Sequence, residues 1–124
     1  MQVLLSIKPE FANKIFAGEK KFEFRKSIFK EKGITKVIVY ASSPVSMIIG
    51  EFEISEIIFD DISELWKKTE KYAGIDEDYF NSYFFNRDKG YAIRIKNARL
   101  YPEKLCIKEK FGKVPPQSFA YVRE

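Results

Sequence analysis

From Lys21 to Lys26 the side chains alternate: Phe22 and Phe24 fall on one side, Lys21, Glu23 and Arg25 on the other. A period of two marks extended chain with one buried face. The pattern returns in short blocks throughout, and this recurrence constrains the fold more than any other feature. In Met1–Ile7, Val3, Leu5 and Ile7 share a face. Val37–Ala41 is apolar throughout and reads as a buried strand. Ser46–Ile57 reads as a long strand, with Gly50 marking a bulge or a close backbone approach. In Gly90–Tyr101 the alternation predicts Tyr91, Ile93 and Ile95 inward and Ala92, Arg94 and Lys96 outward. Ser118–Val122 reads as a closing strand after the extended Val114–Gln117 segment.

Two regions switch to helical spacing. Phe11, Ile15 and Phe16 lie between Pro9, suited to a first helical position, and Gly18, suited to a C-terminal stop. They predict a helix over Pro9–Ala17. Asp61 with Glu64 predicts a capping box, and Gly74 closes the helix that follows. Its inner stripe is Ile62, Leu65, Trp66 and Thr69. Asp76 predicts the cap of another helix, whose stripe is Tyr79, Phe80, Tyr83 and Phe84. The element order is β-α-β-β-β-α-α-β-β. It predicts an α+β fold on a small, strongly curved sheet or barrel, with an early helix and a two-helix insertion. With 124 residues and no repeat or linker, the expectation is one continuous domain over 1–124.

Composition removes several chemistries. The chain contains no His, which excludes Ser-His-Asp and Cys-His catalysis and argues against a zinc site. The single Cys106 cannot form an internal disulfide and is expected to be a buried, inert thiol in a reducing, cytoplasmic setting. No apolar run approaches the roughly 20 residues of a membrane span. No cofactor or metal is expected. The net charge of +4 is uneven: residues 1–40 carry +5, residues 41–90 carry −6 and residues 91–124 carry +5. Ends that fold together would make a basic face attractive to polyanions. A lysine-rich solvated surface explains the same numbers.

The stretch Gly18–Arg25 reads Gly18-x-Lys20-x-x-Glu23-x-Arg25. It resembles the G-x-K-x-x-E-x-R motif of the ASCH domains, a branch of the PUA-like β-barrels. Leu4–Lys26, Val37–Pro44, Ile48–Ile54, Gly90–Ile95 and Pro115–Phe119 extend the resemblance along the chain. Single-domain archaeal and bacterial members often carry a transcriptional-regulator label, although no helix-turn-helix pattern is visible in this sequence. The resemblance implies a cleft beside the barrel, floored by the motif strand, and an RNA or nucleotide-like ligand.

The motif also has its own physical logic. Gly18 permits a left-handed turn. Glu23 and Arg25 lie two apart on one strand face, so their tips can pair. A paired arginine stays oriented toward a phosphate or base edge, and Lys20 adds a point charge. A solvent-exposed ion pair on an edge strand is the plainer alternative. Lys8, Ser42, Ser43, Arg94 and Lys96 are further candidates for the same cleft, against simple turn or surface roles. Tyr40 and Tyr91 could stack on a base or pack in the core. Glu51 and Glu53 share a strand face as a possible carboxylate pair, or as solvated residues.

Binding without catalysis is the first functional expectation. The alternative is a small hydrolase of a nucleoside or RNA using Lys20 and Glu23, which would need the lysine pKa lowered by burial while Arg25 and Glu23 pull it in opposite directions. Some small ASCH proteins resemble amidohydrolases that use the motif Lys, a Thr and a distant Glu. Here Glu23 occupies the Thr position, a departure from that pattern. A protein-interaction role for the acidic middle is a third class.

Overall fold

The computed structural model describes residues 1–123. Its six strands are β1 (Gln2–Ile7), β2 (Phe22–Arg25), β3 (Lys36–Ala41), β4 (Met47–Asp61), β5 (Lys89–Leu105) and β6 (Phe119–Val122). They form one sheet in the order β2-β5-β4-β3-β1-β6. β1 and β3 are parallel and every other neighbouring pair is antiparallel, so the sheet is mixed. The helices are α1 (Pro9–Phe16), α2 (Ile62–Thr69), α3 (Glu77–Tyr83) and α4 (Ile107–Phe111), with a 3₁₀ turn at Glu70–Tyr72. The architecture is α+β, as the element order predicts.

Curvature comes from β4 and β5. Their pairing slips between Ile48 and Gly50, between Glu51 and Glu53, and between Ile54 and Glu56. Each slip bends the ribbon. Gly50 is required for a second reason: a Cβ there would lie 2.6 Å from the Arg99 carbonyl oxygen and 2.6 Å from the Phe16 ring. The sheet curves strongly but its hydrogen bonding does not close; β2 and β6 remain its two edges.

Three apolar clusters hold the fold. The concave side of the sheet packs Val3, Leu5, Val37, Val39, Phe52 and Ile93 with Ala12 and Ile15 of α1. Phe22 and Phe24 of β2 instead face α2 and α3, against Leu65, Phe80 and Phe84. The convex side of β1, β3 and β4 is covered by Ile107 of α4 and by Val122. This third cluster makes β1 and β3 apolar on both faces.

Four sequence expectations are corrected. β4 runs past Ile57 to Asp61, and β5 runs past Tyr101 to Leu105. The second half of β5 is mostly exposed and contains Pro102, so neither alternation nor propensity marks it. α4 was unanticipated. Ala92 is fully buried, because the helical insert covers the face expected to meet water. Asp61 makes no side-chain cap; it pairs with Lys89 across the ribbon at 3.3 Å. Asp76 caps α3 as expected, its carboxylate accepting from the Tyr79 amide at 2.8 Å.

Candidate functional site

The Gly18 turn places the motif. Gly18 has φ +81°, its amide donates to the Ile15 carbonyl, and the Glu19 amide donates to Lys14. This is a Schellman closure of α1. It delivers Lys20 to the base of β2, where the side chain is 2% exposed. The Lys20 Nζ donates to the Ala73 carbonyl at 2.7 Å and lies 4.8 Å from the Phe24 ring centre. Gly74 makes room for it: a Cβ there would sit 2.5 Å from Lys20 Cβ and Cγ. The Lys21 amide donates to the Tyr72 carbonyl and Lys14 Nζ to the Gly74 carbonyl, fastening the insert over the motif.

Glu23 and Arg25 share the other face of β2, and their side chains are only 10% and 12% exposed. The plain reading of a solvated surface pair is therefore ruled out. Arg25 Nε lies 3.4 Å from Glu23 Oε2. One terminal nitrogen of Arg25 donates to the Ser6 carbonyl at 3.0 Å and the other to Ser118 Oγ at 3.4 Å. Its buried Nε makes no geometrically sound hydrogen bond.

Lys20, Glu23 and Arg25 line one cavity of about 300 Å³, with Lys8 at its mouth and Ser42 beside the end of β1. That is the lower end of volumes that hold small ligands. Phe11, Tyr79, Tyr83 and Gln117 join the wall, beside Ser6, Ile7, Phe24 and Ile75. Sequence reasoning did not place the first four in a site. The available signal was the two phenols in the α3 stripe, whose polar tips suit a wet wall better than a core. Lys8 Nζ donates to the Tyr79 hydroxyl at 3.3 Å, and the Tyr83 hydroxyl donates to the Phe24 carbonyl at 3.2 Å.

Other candidates lie elsewhere. Ser43 is exposed and does not line the cavity. Arg94 is exposed, sits over the Phe22 ring and pairs loosely with Glu56 at 3.9 Å; neither it nor Lys96 lines the cavity. Tyr40 is buried in the convex-side cluster. Tyr91 stacks on Phe59 at 4.5 Å. Glu51 and Glu53 do not act as a carboxylate pair: Glu51 is held by Lys36, Arg99 and Tyr101, and Glu53 by Asn97. Cys106 is half-buried rather than fully enclosed.

Burial sets the electrostatics. Desolvation lowers the Lys20 pKa to about 8 and Lys14 adds to the effect, while Glu23 opposes it. Desolvation pushes the Glu23 carboxyl up, against the pull of Arg25 and Lys20. Burial also raises the Tyr83 phenol. An ammonium and a carboxyl thus approach neutrality from opposite sides within one hollow. Among the described residues, no helix is long and apolar enough to cross a membrane, and no three Cys, Asp or Glu side chains gather as a metal site.

The ASCH domain family model matches residues 5–105. The chain belongs to the ASCH domain family. The match runs from the end of β1 through the motif turn and the helical insert to the end of β5. This ASCH domain is 29% identical over 126 residues to an ASCH domain-containing ribonuclease of Zymomonas mobilis, covering 99% of this chain and 85% of that protein. The crystal structure of ASCH from Zymomonas mobilis superposes with a TM-score of 0.91 at 28% identity, over 99% of this chain and 88% of that one. The N-terminal domain of Staphylothermus marinus McrB shares the fold alone, with a TM-score of 0.54 and 15% identity over 87% of this chain and 77% of that chain. The transcriptional-regulator label often given to single-domain ASCH proteins finds no support in these matches.

Proposed function

We propose that this ASCH domain binds single-stranded RNA and cleaves it at the nucleotide seated in the Lys20–Glu23–Arg25 cavity. One observation carries the reading: a buried ammonium and a buried carboxyl, their pKa values displaced toward each other, share a hollow of nucleotide scale. General acid-base catalysis works best with groups poised near the operating pH. The ribonuclease name of the Zymomonas mobilis relative supports the same class of substrate.

In this scheme the RNA 2′-hydroxyl attacks the adjacent phosphorus while Glu23, as carboxylate, takes its proton. The Lys20 ammonium faces the developing charge and gives a proton to the departing 5′-oxygen. The products are a 2′,3′-cyclic phosphate and a 5′-hydroxyl. Solvent then returns Glu23 to carboxylate and Lys20 to ammonium. Arg25, held by Ser6 and Ser118, turns its Nε toward Glu23 at 3.4 Å and so orients that carboxylate. The Phe11 and Tyr79 rings, packed edge-to-face at 5.2 Å, give a base one wall to rest on. Ser42 adds a hydroxyl at the rim.

The test uses a DNA oligomer containing one ribonucleotide. Cleavage is expected only on the 3′ side of that nucleotide, leaving a cyclic phosphate visible by mass spectrometry. Lys20→Met and Glu23→Gln are each expected to lower the rate by 100-fold or more, on the order of a lost acid or base. The rate is expected to fall as pH rises above about 8, where Lys20 loses its proton. Cleavage of an all-deoxy strand, or full activity in both variants, refutes the mechanism. Binding without cleavage in the native protein supports the second reading, a non-catalytic RNA-binding module. That reading is favoured by the aromatic wall and the fixed Glu23–Arg25 pair.

A further inference from the structure

A second groove, of about 480 Å³, lies between α4 and β6. Its charged lining is Lys110, Lys113 and Arg123, and no acidic residue lines it. Phe111 and Tyr121 supply its rings. The Tyr121 hydroxyl accepts from the Lys30 and Glu31 amides at 2.8 and 3.0 Å, which brings the exposed Lys30–Lys32 loop to the same edge. Lys36, Lys68, Lys89, Arg94 and Arg99 face carboxylates, whereas other exposed cations such as Lys21, Lys26, Lys71 and Lys96 do not. Among the described residues, Lys110, Lys113 and Arg123 pair with none. Over residues 103–124 five Lys and Arg stand against Glu103, Glu109 and Glu124, a balance of +2.

The groove is connected to the cavity by the chain itself. Gln117 lines the cavity and Ser118 accepts from Arg25. From there β6 runs extended to Arg123. Five residues at roughly 3.3 Å each span about 16 Å, the reach of a few nucleotides. β6 is the open edge of the sheet, so nothing within the sheet covers this path.

We propose that the α4–β6 groove holds the phosphodiester backbone of the RNA strand whose other part enters the Lys20 cavity. This inference rests on the RNA reading above and adds where the strand runs. Lys110, Lys113 and Arg123 grip phosphates without regard to sequence. Phe111 and Tyr121 give bases an apolar wall to rest on.

The test compares the native protein with the triple variant Lys110→Gln, Lys113→Gln, Arg123→Gln. All three residues are exposed, so the fold should survive, and a melting curve checks this. Binding of an oligouridylate of about 16 nucleotides is titrated across salt concentrations, and cleavage of a uridine dinucleotide is followed separately. Losing three phosphate contacts should make the slope of log K against log salt shallower by about 2. Affinity for the long strand should fall about tenfold or more at low salt, while dinucleotide cleavage stays unchanged. An unchanged slope on the long strand overturns the groove proposal, whatever the dinucleotide does. A lowered slope with no native cleavage keeps the groove and refutes the catalytic reading. No RNA binding at all refutes both. Binding of phosphatidylserine vesicles that depends on the three cations, with RNA binding unaffected, replaces the proposal with a lipid surface.

Discussion

Replacing Lys20 by methionine should stabilise the unliganded protein at neutral pH. The cation is held at a loss: its pKa drops from the ordinary 10.5 to about 8 on folding, chiefly through desolvation. That difference corresponds to about 3 kcal/mol. Below pH 8 both folded and unfolded chains carry the charge, and the penalty is present in full. Between pH 8 and 10.5 the folded chain binds fewer protons than the unfolded one, so this group makes the native protein more stable as pH rises. Methionine keeps the stem that packs against Gly74 and removes the charge. It also strips the Ala73 carbonyl of its donor, which costs about 1–2 kcal/mol for a buried acceptor. The net expectation is a gain of about 1–2 kcal/mol at pH 7. The gain should shrink and then reverse as pH approaches 10.5, where native Lys20 is neutral and still donates. Urea unfolding of both proteins at intervals from pH 6 to 10 measures the difference. A variant less stable by several kcal/mol at pH 7, with a difference flat across that range, would refute the reasoning. The same variant is expected to lose function, so the site would trade stability for chemistry.

Gly74→Ala should destabilise by about 2–4 kcal/mol, since Gly74 has φ +71° and the new methyl would meet the rigid stem of Lys20. A melting temperature equal to native would show that the insert can shift away. Arg25→Met should cost about 3–5 kcal/mol by leaving Glu23 buried without its partner. It should also speed hydrogen exchange at the Phe119–Val122 amides, which Arg25 tethers through Ser118. Exchange there at the native rate would mean that β1 alone holds β6.

The motif strand was legible because Phe22 and Phe24 alternate with Glu23 and Arg25, and alternation survives any tertiary context. What lay beneath the charged face was not legible. Water and a cavity wall both tolerate Glu and Arg, and the choice was made by α1 and the helical insert folding over β2. Lys20 shows the limit most sharply. Its burial depends on the Ala73 carbonyl and the missing side chain of Gly74, more than fifty positions along the chain. Tyr79 and Tyr83 were read correctly as a helix stripe and still missed as site residues, because periodicity does not separate a core face from a cavity face. The second half of β5 escaped for a different reason. Pairing with β4 keeps it extended, while its side chains meet solvent and carry no alternating signal.

The site exists because the sheet fails to close. A barrel zipped between β2 and β1 would bury its backbone groups against each other and leave no hollow at the seam. Here β2 is four residues long and pairs only with β5, so its other edge faces β1 and β6 across a gap. Arg25 crosses that gap with its guanidinium, reaching the Ser6 carbonyl on β1 and the Ser118 hydroxyl before β6. A side-chain bridge is longer than a backbone hydrogen bond, and the difference in reach is the space that Lys20, Glu23, Ser42 and Gln117 surround. The spacing of the motif follows from this geometry. Gly18 ends α1 so that Lys20 enters below the strand, Glu23 takes the inward position next along it, and Arg25 comes last, where the seam must be spanned. A lysine at the last position would lack the planar fork that reaches two strands at once. One guanidinium therefore both spans the seam and holds Glu23 in the cavity wall.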